Sequence, residues 1–228
     1  PILVAEPSSA YVVALGIGGV RRENPLFTAR LAEVTTGKPV WQRACEVADE
    51  VVGFATRGED LYLLSTRDAT NARVLRTPVA NPRFADATVV VPEGKTVIEN
   101  IVAARDGLYV IEMDGGYNAL RRFDKDGKLT TAALPFDGAI IGTYANGLED
   151  GAWVVATSWL EPYTVLRYDP ATGRAADTGL SPRPPVDTSR YEAIRTHATA
   201  RDGTKVPLSI LARRGLKRDG SNPALVNA

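Results

Sequence analysis

Short apolar runs, broken by Gly, Pro, Asn and Asp, form the dominant pattern of this chain. No segment keeps a 3.6-residue apolar period for more than about three turns, so the pattern predicts no helix. Many short strands at even spacing favour a sandwich, a barrel or a propeller. Before the C-terminal stretch, the predicted strands cover residues 11–15, 26–33, 50–55, 61–65, 73–79, 88–91, 97–104, 108–112, 119–123, 129–134, 140–144, 153–157 and 164–168.

An internal repeat decides between these architectures. Three segments share an acidic-Gly turn, an aromatic strand, a short loop and a second strand. The aromatic residues are 47 and 44 residues apart, and they are Tyr62, Tyr109 and Trp153. The apolar anchors of the second strand are 45 residues apart in both intervals, and they are Leu75, Leu120 and Val165. A period of about 40–50 residues with four short strands is typical of a β-propeller blade.

The repeat predicts a mainly β fold, a partial β-propeller of about three and a half four-stranded blades. Blades are expected near 50–97, 98–136 and 138–180, with part of another at 10–47. Such an array cannot close a ring, so both ends would expose an apolar face and a strand edge. We therefore expect the open blade edges to find a partner or to self-associate.

The C-terminal stretch has a different organisation. Strand-like runs at 191–199 and 206–212 flank a turn at Asp202-Gly203, which is typical of a hairpin. A second turn at Asp219-Gly220 precedes the predicted start of a third strand at 223–226. The proline-rich residues 181–185 form the expected connector, which gives two predicted domains, 1–187 and 188–228.

The amino-acid sequence of this C-terminal stretch resembles that of one protein family. The matching residues are Asp202-Gly203-Thr204, Val206-Pro207, Gly215, Asp219-Gly220 and Asn222-Pro223. They are similar to the segment where prolyl oligopeptidase-type serine peptidases pass from their β-propeller into the α/β-hydrolase domain. Residues 61–79, 89–101 and 134–173 also resemble the family's propeller.

The resemblance implies that residues 1–180 are the second half of a seven-bladed propeller and that the first strands of an α/β-hydrolase domain follow. It also implies that the parent chain is a serine endopeptidase that cleaves short proline-containing peptides after proline. The propeller would then act as a gate that admits only short or unfolded peptides.

The chain itself lacks the family's catalytic residues. The family uses a Ser–Asp–His triad whose serine lies in a Gly-x-Ser-x-Gly-like run, and no such run occurs here. The sole histidine, His197, falls within a predicted strand where the family has no catalytic group. Cys45 is the only cysteine, and a buried thiol is favoured over a nucleophile. We therefore predict no catalytic residue and an inactive fragment.

Two arginines are candidate substrate-binding residues. The family uses one propeller arginine to hold a substrate carbonyl, and alignment on Tyr11 and Leu26 places Ile17 at that position. Arg21 and Arg22 lie close enough to substitute for it, while a solvated rim is the alternative interpretation. If neither substitutes, the substrate preference differs from that of the family.

The composition of the chain and its motifs exclude several classes of partner and ligand. The chain has 27 basic and 27 acidic residues, which argues against nucleic acid or an anionic membrane as a partner. No apolar run reaches the roughly 18 residues of a membrane-spanning helix. The run from Asp124 to Gly127 resembles the start of a calcium loop but lacks its glutamate, so it predicts a hairpin turn. No zinc ligand set is present, and no cofactor or metal is expected.

Other functions stay open at this point. The chain could belong to a propeller that serves as a binding scaffold without an enzyme. It could also belong to another hydrolase of the same superfamily, an esterase or an aminopeptidase, which Ile17 keeps open. The pattern does not decide between the cytoplasm and the periplasm.

Overall fold

The computed structural model of the protein describes residues 1–182 and 186–227, and most of its regular structure is β-strand. Four four-stranded antiparallel sheets are followed by a two-stranded hairpin. Within each sheet the strands lie in chain order, so each strand pairs with its neighbours in sequence. The fold class predicted from the repeat, a partial β-propeller, is confirmed, and each sheet is one blade.

The strands fall into five groups along the chain. The first sheet consists of β1 (Ile2–Ala5), β2 (Tyr11–Leu15), β3 (Leu26–Arg30) and β4 (Gln42–Cys45). The second consists of β5 (Val51–Arg57), β6 (Asp60–Ser65), β7 (Arg73–Pro78) and β8 (Thr88–Val91). The third consists of β9 (Val97–Ala104), β10 (Gly107–Asp114), β11 (Tyr117–Asp124) and β12 (Leu129–Thr131). The fourth consists of β13 (Ala139–Tyr144), β14 (Ala152–Thr157), β15 (Thr164–Asp169) and β16 (Arg174–Asp177). The hairpin consists of β17 (Tyr191–Thr199) and β18 (Lys205–Arg213).

The first blade is complete, where the sequence pattern predicted only part of one. Strand β1 pairs with β2 in the register Val4↔Val13, and β4 pairs with β3 through Leu26↔Cys45. All four residues of β1 are exposed, so it has no alternation of buried and exposed positions by which a pattern could identify it. Strand β4 begins with two exposed polar residues and was missed for the same reason. The count of blades is therefore four.

The predicted strand 26–33 is too long, and the prediction of no helix is wrong at its end. Strand β3 stops at Arg30 and a short helix, α1 (Leu31–Thr35), follows. The Leu31 amide donates to the Ala10 carbonyl, and the hydroxyls of Thr35 and Thr36 donate to the Ala32 carbonyl. The bond from Leu31 ends the ladder with β2, and the bonds from Thr35 and Thr36 are the local side-chain bonds that Thr commonly makes to a carbonyl three or four residues earlier.

The predicted third C-terminal strand at 223–226 does not form. This segment contains no regular structure, and its neighbourhood is held as a turn: Asp219 accepts the Ser221 amide at 3.0 Å, and the Asn222 side chain donates to the Lys217 carbonyl at 2.6 Å. A strand needs a partner edge, and a sequence run alone does not supply one. Of the predicted connector 181–185, residues 183–185 lie outside the described residues.

The core is divided into three apolar layers, one between each pair of successive blades. Strand β6 shows how the alternation works: Leu61 and Leu63 pack toward the first blade, while Tyr62 and Leu64 pack toward the third. Because both faces of the inner blades are buried, the second strand of each, β6 or β10, is a nearly continuous buried run rather than an alternating one. The strands predicted at 61–65 and 108–112 lie within β6 and β10.

Polar contacts between turns fix the angle between neighbouring blades. At the junction of the third and fourth blades, Arg105 makes two hydrogen bonds to Asp150, at 2.8 and 2.9 Å. Asp106 accepts hydrogen bonds from the Tyr109 hydroxyl at 2.7 Å and from the Gly151 amide at 2.8 Å, and it also pairs with Arg122. Burial, and then the hydrogen bond to Asp106, raises the pKa of Tyr109. A buried carboxylate with this many partners is well satisfied and specifies one docking geometry.

The last blade has an uncovered face. Tyr62, Tyr109 and Trp153 occupy the same place in their blades, and each is paired across the strand with an arginine. Tyr62 and Tyr109 are only 4% and 0% exposed because the next blade covers them, whereas Trp153 is 38% exposed. The neighbours of Trp153 in β14, Ala152 and Val154, pack on the third blade. The Trp153 face is therefore the side against which a further blade or a partner would pack.

We expect Trp153→Glu to weaken self-association of the chain. A charge at the centre of an apolar docking face should raise the concentration needed for association about tenfold, as for an interface hot spot. Sedimentation velocity over a range of concentrations measures this. Val20→Glu is the control, because Val20 is also exposed but lies in a loop rather than on a sheet face. Equal effects of the two substitutions would contradict association through the open face.

Candidate functional site

One end of the propeller gathers the candidate functional residues. Because every blade is an antiparallel meander, its turns alternate between two ends, and those that follow even-numbered strands share one end. The connections at this end are 16–25, 46–50, 66–72, 92–96, 115–116, 132–138 and 158–163. After β16 the chain leaves the propeller from this same end toward β17. We call this end the hairpin face.

Arg21 and Arg22 both lie in the loop 16–25 of the hairpin face, and both are exposed. The base of the loop is closed by a hydrogen bond from the Gly16 amide to the Pro25 carbonyl at 3.0 Å. The Asn24 side chain donates to the Arg22 carbonyl at 2.9 Å, and the Asn24 backbone amide donates to the second blade. Within the described part of the chain, no ion pair involves either arginine. Both arginines therefore lie at the hairpin face, and no carboxylate of the described residues forms an ion pair with them.

A second loop of the hairpin face was not singled out by sequence reasoning. The turn 158–163 exposes two aromatic side chains, Trp159 and Tyr163. Its shape is fixed by the Ser158 hydroxyl, which accepts the amides of Leu160 and Glu161 at 3.2 and 3.0 Å. The sequence did contain a signal for this site, namely two aromatic residues in a turn that also contains Pro162. Aromatic side chains in an exposed turn are not stabilised by burial in a core, so their presence there indicates another role. Such rings offer flat apolar surface for a proline or another apolar residue of a peptide.

His197 is not part of a catalytic arrangement in the described residues. It lies in β17 opposite Pro207 and is exposed. In residues 1–182 and 186–227, no hydrogen bond joins it to a serine or a carboxylate. A general base must lie within hydrogen-bond reach of the group that it activates. In the part of the chain that the structure describes, exposed arginine and aromatic side chains lie at the hairpin face, and His197 has no nucleophile within hydrogen-bond reach.

A cleft of about 550 Å³ is lined by residues of the outer strands and turns of the first two blades. Arginines line it, but carboxylates already pair with them: Arg67 with Asp49 at 2.7 Å, and Arg43 with Glu46 at 2.5 Å. The cleft is thus largely neutralised from within. In the described residues, no group of three or more His, Cys, Asp or Glu side chains could hold a metal ion. The helix of the described chain is too short to cross a membrane.

Cys45 is a buried thiol at the edge of this cleft. It is 2% exposed, and its sulfur lies 3.6 Å from the Asn24 carbonyl oxygen. Burial raises its pKa from 9.0 to about 12. Since the thiolate is the nucleophilic form, a thiol with this pKa is inert near neutral pH.

Family membership follows from comparison with known sequences. Residues 7–177, more than half of the chain, match the family described as the prolyl oligopeptidase N-terminal beta-propeller domain. The chain belongs to the prolyl oligopeptidase family. The match covers all of the first three blades except β1, and it ends with the last strand of the fourth.

Curated relatives give the same result. The chain is 29% identical over 172 residues to a prolyl endopeptidase of Elizabethkingia meningoseptica. The aligned segment covers 75% of this chain and 24% of the relative. It is 28% identical over 161 residues to dipeptidyl aminopeptidase BI of Pseudoxanthomonas mexicana. That alignment covers 69% of this chain and 22% of the relative. The chain thus spans about a quarter of the length of the curated relatives that it matches.

Solved structures extend the likeness to the hairpin. One comes from a study of two prolyl endopeptidases and of inter-domain dynamics in their catalysis and specificity. It has a TM-score of 0.75 at 26% identity and covers 91% of this chain and 30% of its own. Prolyl oligopeptidase B of Galerina marginata without ligand has a TM-score of 0.75 at 20% identity over the same shares, which shows the same fold.

We expect Cys45 to resist thiol reagents while the protein is folded. At pH 8 its reaction with a disulfide reagent should be at least about a hundredfold slower than in the unfolded chain, because thiolate is scarce and access is blocked. Its folded pKa is raised, so its contribution to stability is complete below about pH 9 and is lost as the pH rises toward about 12. Stopped-flow labelling with and without denaturant measures the rates, and similar rates in both states would contradict the burial.

Proposed function

We propose that this chain is the propeller and the entry strands of a longer serine peptidase of the prolyl oligopeptidase type, which cleaves short peptides after proline. The observation that carries the proposal is the match of residues 7–177 to the family's propeller domain. The segment from Asp202 to Pro223, which lies after the connector, also supports the proposal, because its sequence resembles the start of the family's hydrolase domain. A propeller without an enzyme would have no need of that segment.

The proposed role of the propeller is to gate access to the peptidase domain. The chain leaves the fourth blade from the hairpin face, so the peptidase domain would lie over that face. The loops with Arg21, Arg22 and Trp159 would then line the space between the two domains. A substrate has to enter this space before it is cleaved, which excludes folded proteins by size and leaves short peptides as substrates.

The proposed domains are residues 1–187 and 188–228. Among the described residues, β16 is the last strand that joins a propeller sheet, and it ends at Asp177. Strands β17 and β18 pair only with each other. A hairpin that joins no blade is what the first strands of a second domain would look like when the rest of that domain is not beside them.

In this proposal Arg21 and Arg22 hold substrate carbonyl or carboxylate oxygens. A guanidinium presents several donors in a fixed planar arrangement, and it stays charged at any working pH. Both side chains are exposed on the hairpin face, where a peptide between the domains could reach them. They would supply binding and orientation, while bond cleavage would belong to the peptidase domain.

A second candidate function is aminopeptidase activity. One relative is named a dipeptidyl aminopeptidase, and Ile17 stands where the family's substrate arginine is expected. An aminopeptidase of this kind requires a free amino terminus on its substrate. Comparing a peptide that has a free amino terminus with its acetylated form therefore separates the two candidates.

We predict that the 228-residue chain does not react with a fluorophosphonate probe and does not hydrolyse an N-blocked Gly-Pro p-nitroanilide. The longer protein encoded by the same reading frame should do both, because it would contain the nucleophile and its base. Gel fluorescence and absorbance at the p-nitroaniline band measure these outcomes. Labelling of the short chain at a serine would contradict its inactivity. A longer protein that neither reacts with the probe nor cleaves after proline would overturn the proposed function.

We also predict that replacing Arg21 and Arg22 together with Ala in the longer protein raises KM for the Gly-Pro substrate about tenfold with little change in kcat. Loss of binding that is equal in ground and transition states has this signature. Lys38→Ala is the matched control, because Lys38 is exposed in the connection 36–41 at the opposite end of the propeller. Unchanged KM in the double variant would assign both arginines to the solvated rim.

A further inference from the structure

A pocket of about 310 Å³ lies between the second and third blades, and we call it the interblade pocket. Arg57 at the end of β5 and the turn after β11 line it, and connections after odd-numbered strands lie at the end of the propeller opposite the hairpin face. Both walls belong to inner blades, each of which packs on a described blade at either side. The pocket is therefore a feature of the blade packing itself.

The lining of the interblade pocket has an apolar part and a polar part. The apolar part continues the layer between the two blades and consists of Val90, Val91, Leu108 and Phe123. In the polar part, the second blade contributes Arg57, Tyr62 and Arg76, and the third contributes the turn 124–127. An amphipathic lining of this kind suits a small ligand with a charged end and an apolar end.

The polar groups of the second blade share one distant carboxylate. The Tyr62 hydroxyl accepts from Arg57 Nη2 at 2.7 Å and donates to Asp60 at 3.3 Å. The Asp60 carboxylate lies 3.9 Å from Arg57 Nη2 and 3.9 Å from Arg76 Nε. Arg57 Nη1 is buried and has no hydrogen-bond partner in the described residues. Burial raises the pKa of Tyr62, so its hydroxyl keeps the proton that it donates.

The next junction, between the third and fourth blades, has a close carboxylate at the corresponding place. Tyr109 is paired across the strand with Arg122, as Tyr62 is with Arg76. There Asp106 accepts from the Tyr109 hydroxyl at 2.7 Å and pairs with Arg122. The same tyrosine–arginine pair thus meets a carboxylate at full hydrogen-bond strength in one junction and only a distant one in the other.

The sequence explains the difference between the two junctions. Asp106 lies three residues before its tyrosine, and its side chain is only 8% exposed. The residue three positions before Tyr62 is Glu59, which is exposed and makes no side-chain hydrogen bond in the described residues. Asp60 is the nearest substitute, and its side chain is 34% exposed. Two partly buried arginine groups without a close acceptor are costly to keep desolvated, and an acceptor that enters the pocket would lower this cost.

We propose that the interblade pocket binds a small organic monocarboxylate with a compact apolar body. The ligand carboxylate takes the place among Arg57, Tyr62 and Arg76 that Asp106 takes in the next junction. Arginine suits this role because its planar donors match the geometry of a carboxylate. The apolar body of the ligand packs on Leu108 and Phe123.

The turn of the third blade limits the ligand to one negative charge. Asp124 lies on this side of the pocket, and its Oδ1 accepts the amides of Asp126 and Lys128 at 3.0 and 2.8 Å. The carboxylates of Asp124 and Asp126 repel a second negative charge on the ligand. Phosphate and dicarboxylates are therefore disfavoured, while a single carboxylate directed toward the second blade is accepted.

Peptides that end in proline belong to the proposed class, because their terminal carboxylate stands beside an apolar pyrrolidine ring. Cleavage after proline produces such peptides, so the interblade pocket would bind a product of the reaction at the end of the propeller remote from the peptidase domain. This last step rests on the proposed function. The binding of a monocarboxylate rests only on the pocket.

Titration of the 228-residue chain with N-acetyl-L-proline tests the proposal. Calorimetry should give a Kd of about 0.1 to 1 mM, an ordinary value for a ligand of about eleven non-hydrogen atoms. The neutral analogue N-acetyl-L-prolinamide should bind at least about tenfold more weakly, and inorganic phosphate should not compete. Methyl NMR should show shifts at Val90 and Leu108. Equal binding of the amide, competition by phosphate, or shifts confined to the loop 16–25 would overturn the proposal.

Substitutions in the polar part of the pocket provide the second test. Arg76→Met should raise Kd for N-acetyl-L-proline about tenfold, and Tyr62→Phe about threefold to tenfold, because each removes a donor and keeps an apolar side chain. Arg76 is 48% exposed and its Nε lies 3.9 Å from Asp60, so the unfolding temperature should change little. Arg83→Met is the matched control, since Arg83 lies in the connection between β7 and β8 and does not line the pocket. No effect of Arg76→Met, or an equal effect of Arg83→Met, would contradict the site.

The arginines of the hairpin face separate this proposal from the proposed function. Replacing Arg21 and Arg22 together with Ala should leave Kd for N-acetyl-L-proline unchanged, because the loop 16–25 lies at the other end of the propeller. Loss of binding in this double variant would place the ligand at the proposed substrate site and overturn the interblade pocket. A longer protein without peptidase activity would refute the proposed function and leave the binding result as it is.

Discussion

The structure depends on the face-to-face packing of successive four-stranded sheets. Each inner blade buries both of its faces, and the three layers between blades contain nearly all of the large buried side chains. Burial of this apolar area supplies most of the favourable free energy, at roughly 25 cal/mol per Å². Among the described residues, no sheet packs on the outer face of the fourth blade, where Trp153 is 38% exposed.

Polar contacts between turns fix the angle at which neighbouring blades pack. Apolar layers alone would tolerate a range of angles between blades, whereas the Asp106 cluster and the Arg105–Asp150 pair allow one. The exposed Arg105–Asp150 pair contributes little to stability. The buried carboxylate contributes more, because removing a partner would leave a polar group without a hydrogen bond in a dry layer. These contacts lie in the turns after β9 and β13, at the end of the propeller opposite the hairpin face.

The meander topology gives the two ends of the propeller different sets of connections. Every second connection returns to the hairpin face, and the chain itself departs from there, so exposed arginines of the first blade and exposed aromatics of the fourth come to share one end. A relative studied for its inter-domain dynamics has this fold. In the present chain, Arg195 of the hairpin contacts Asp114 at the turn between the second and third strands of the third blade.

The sequence by itself determined the class of the fold, because blade repeats recur in the order of residues and a doubly buried strand such as β6 must be apolar throughout. It also determined the family, through the turn and proline residues of the hairpin. It did not reveal β1, β4, β16 or α1, because these exposed elements lack periodic burial. It also predicted a strand at 223–226, which has no partner edge. Only the tertiary structure decided that Arg195 of β17 meets Asp114 and Tyr117 at the turn between β10 and β11. Residues about eighty positions apart leave no joint pattern in the chain. The common end shared by Arg21 and Trp159 likewise follows from how the meanders stack, which depends on three-dimensional packing rather than on local residue preference.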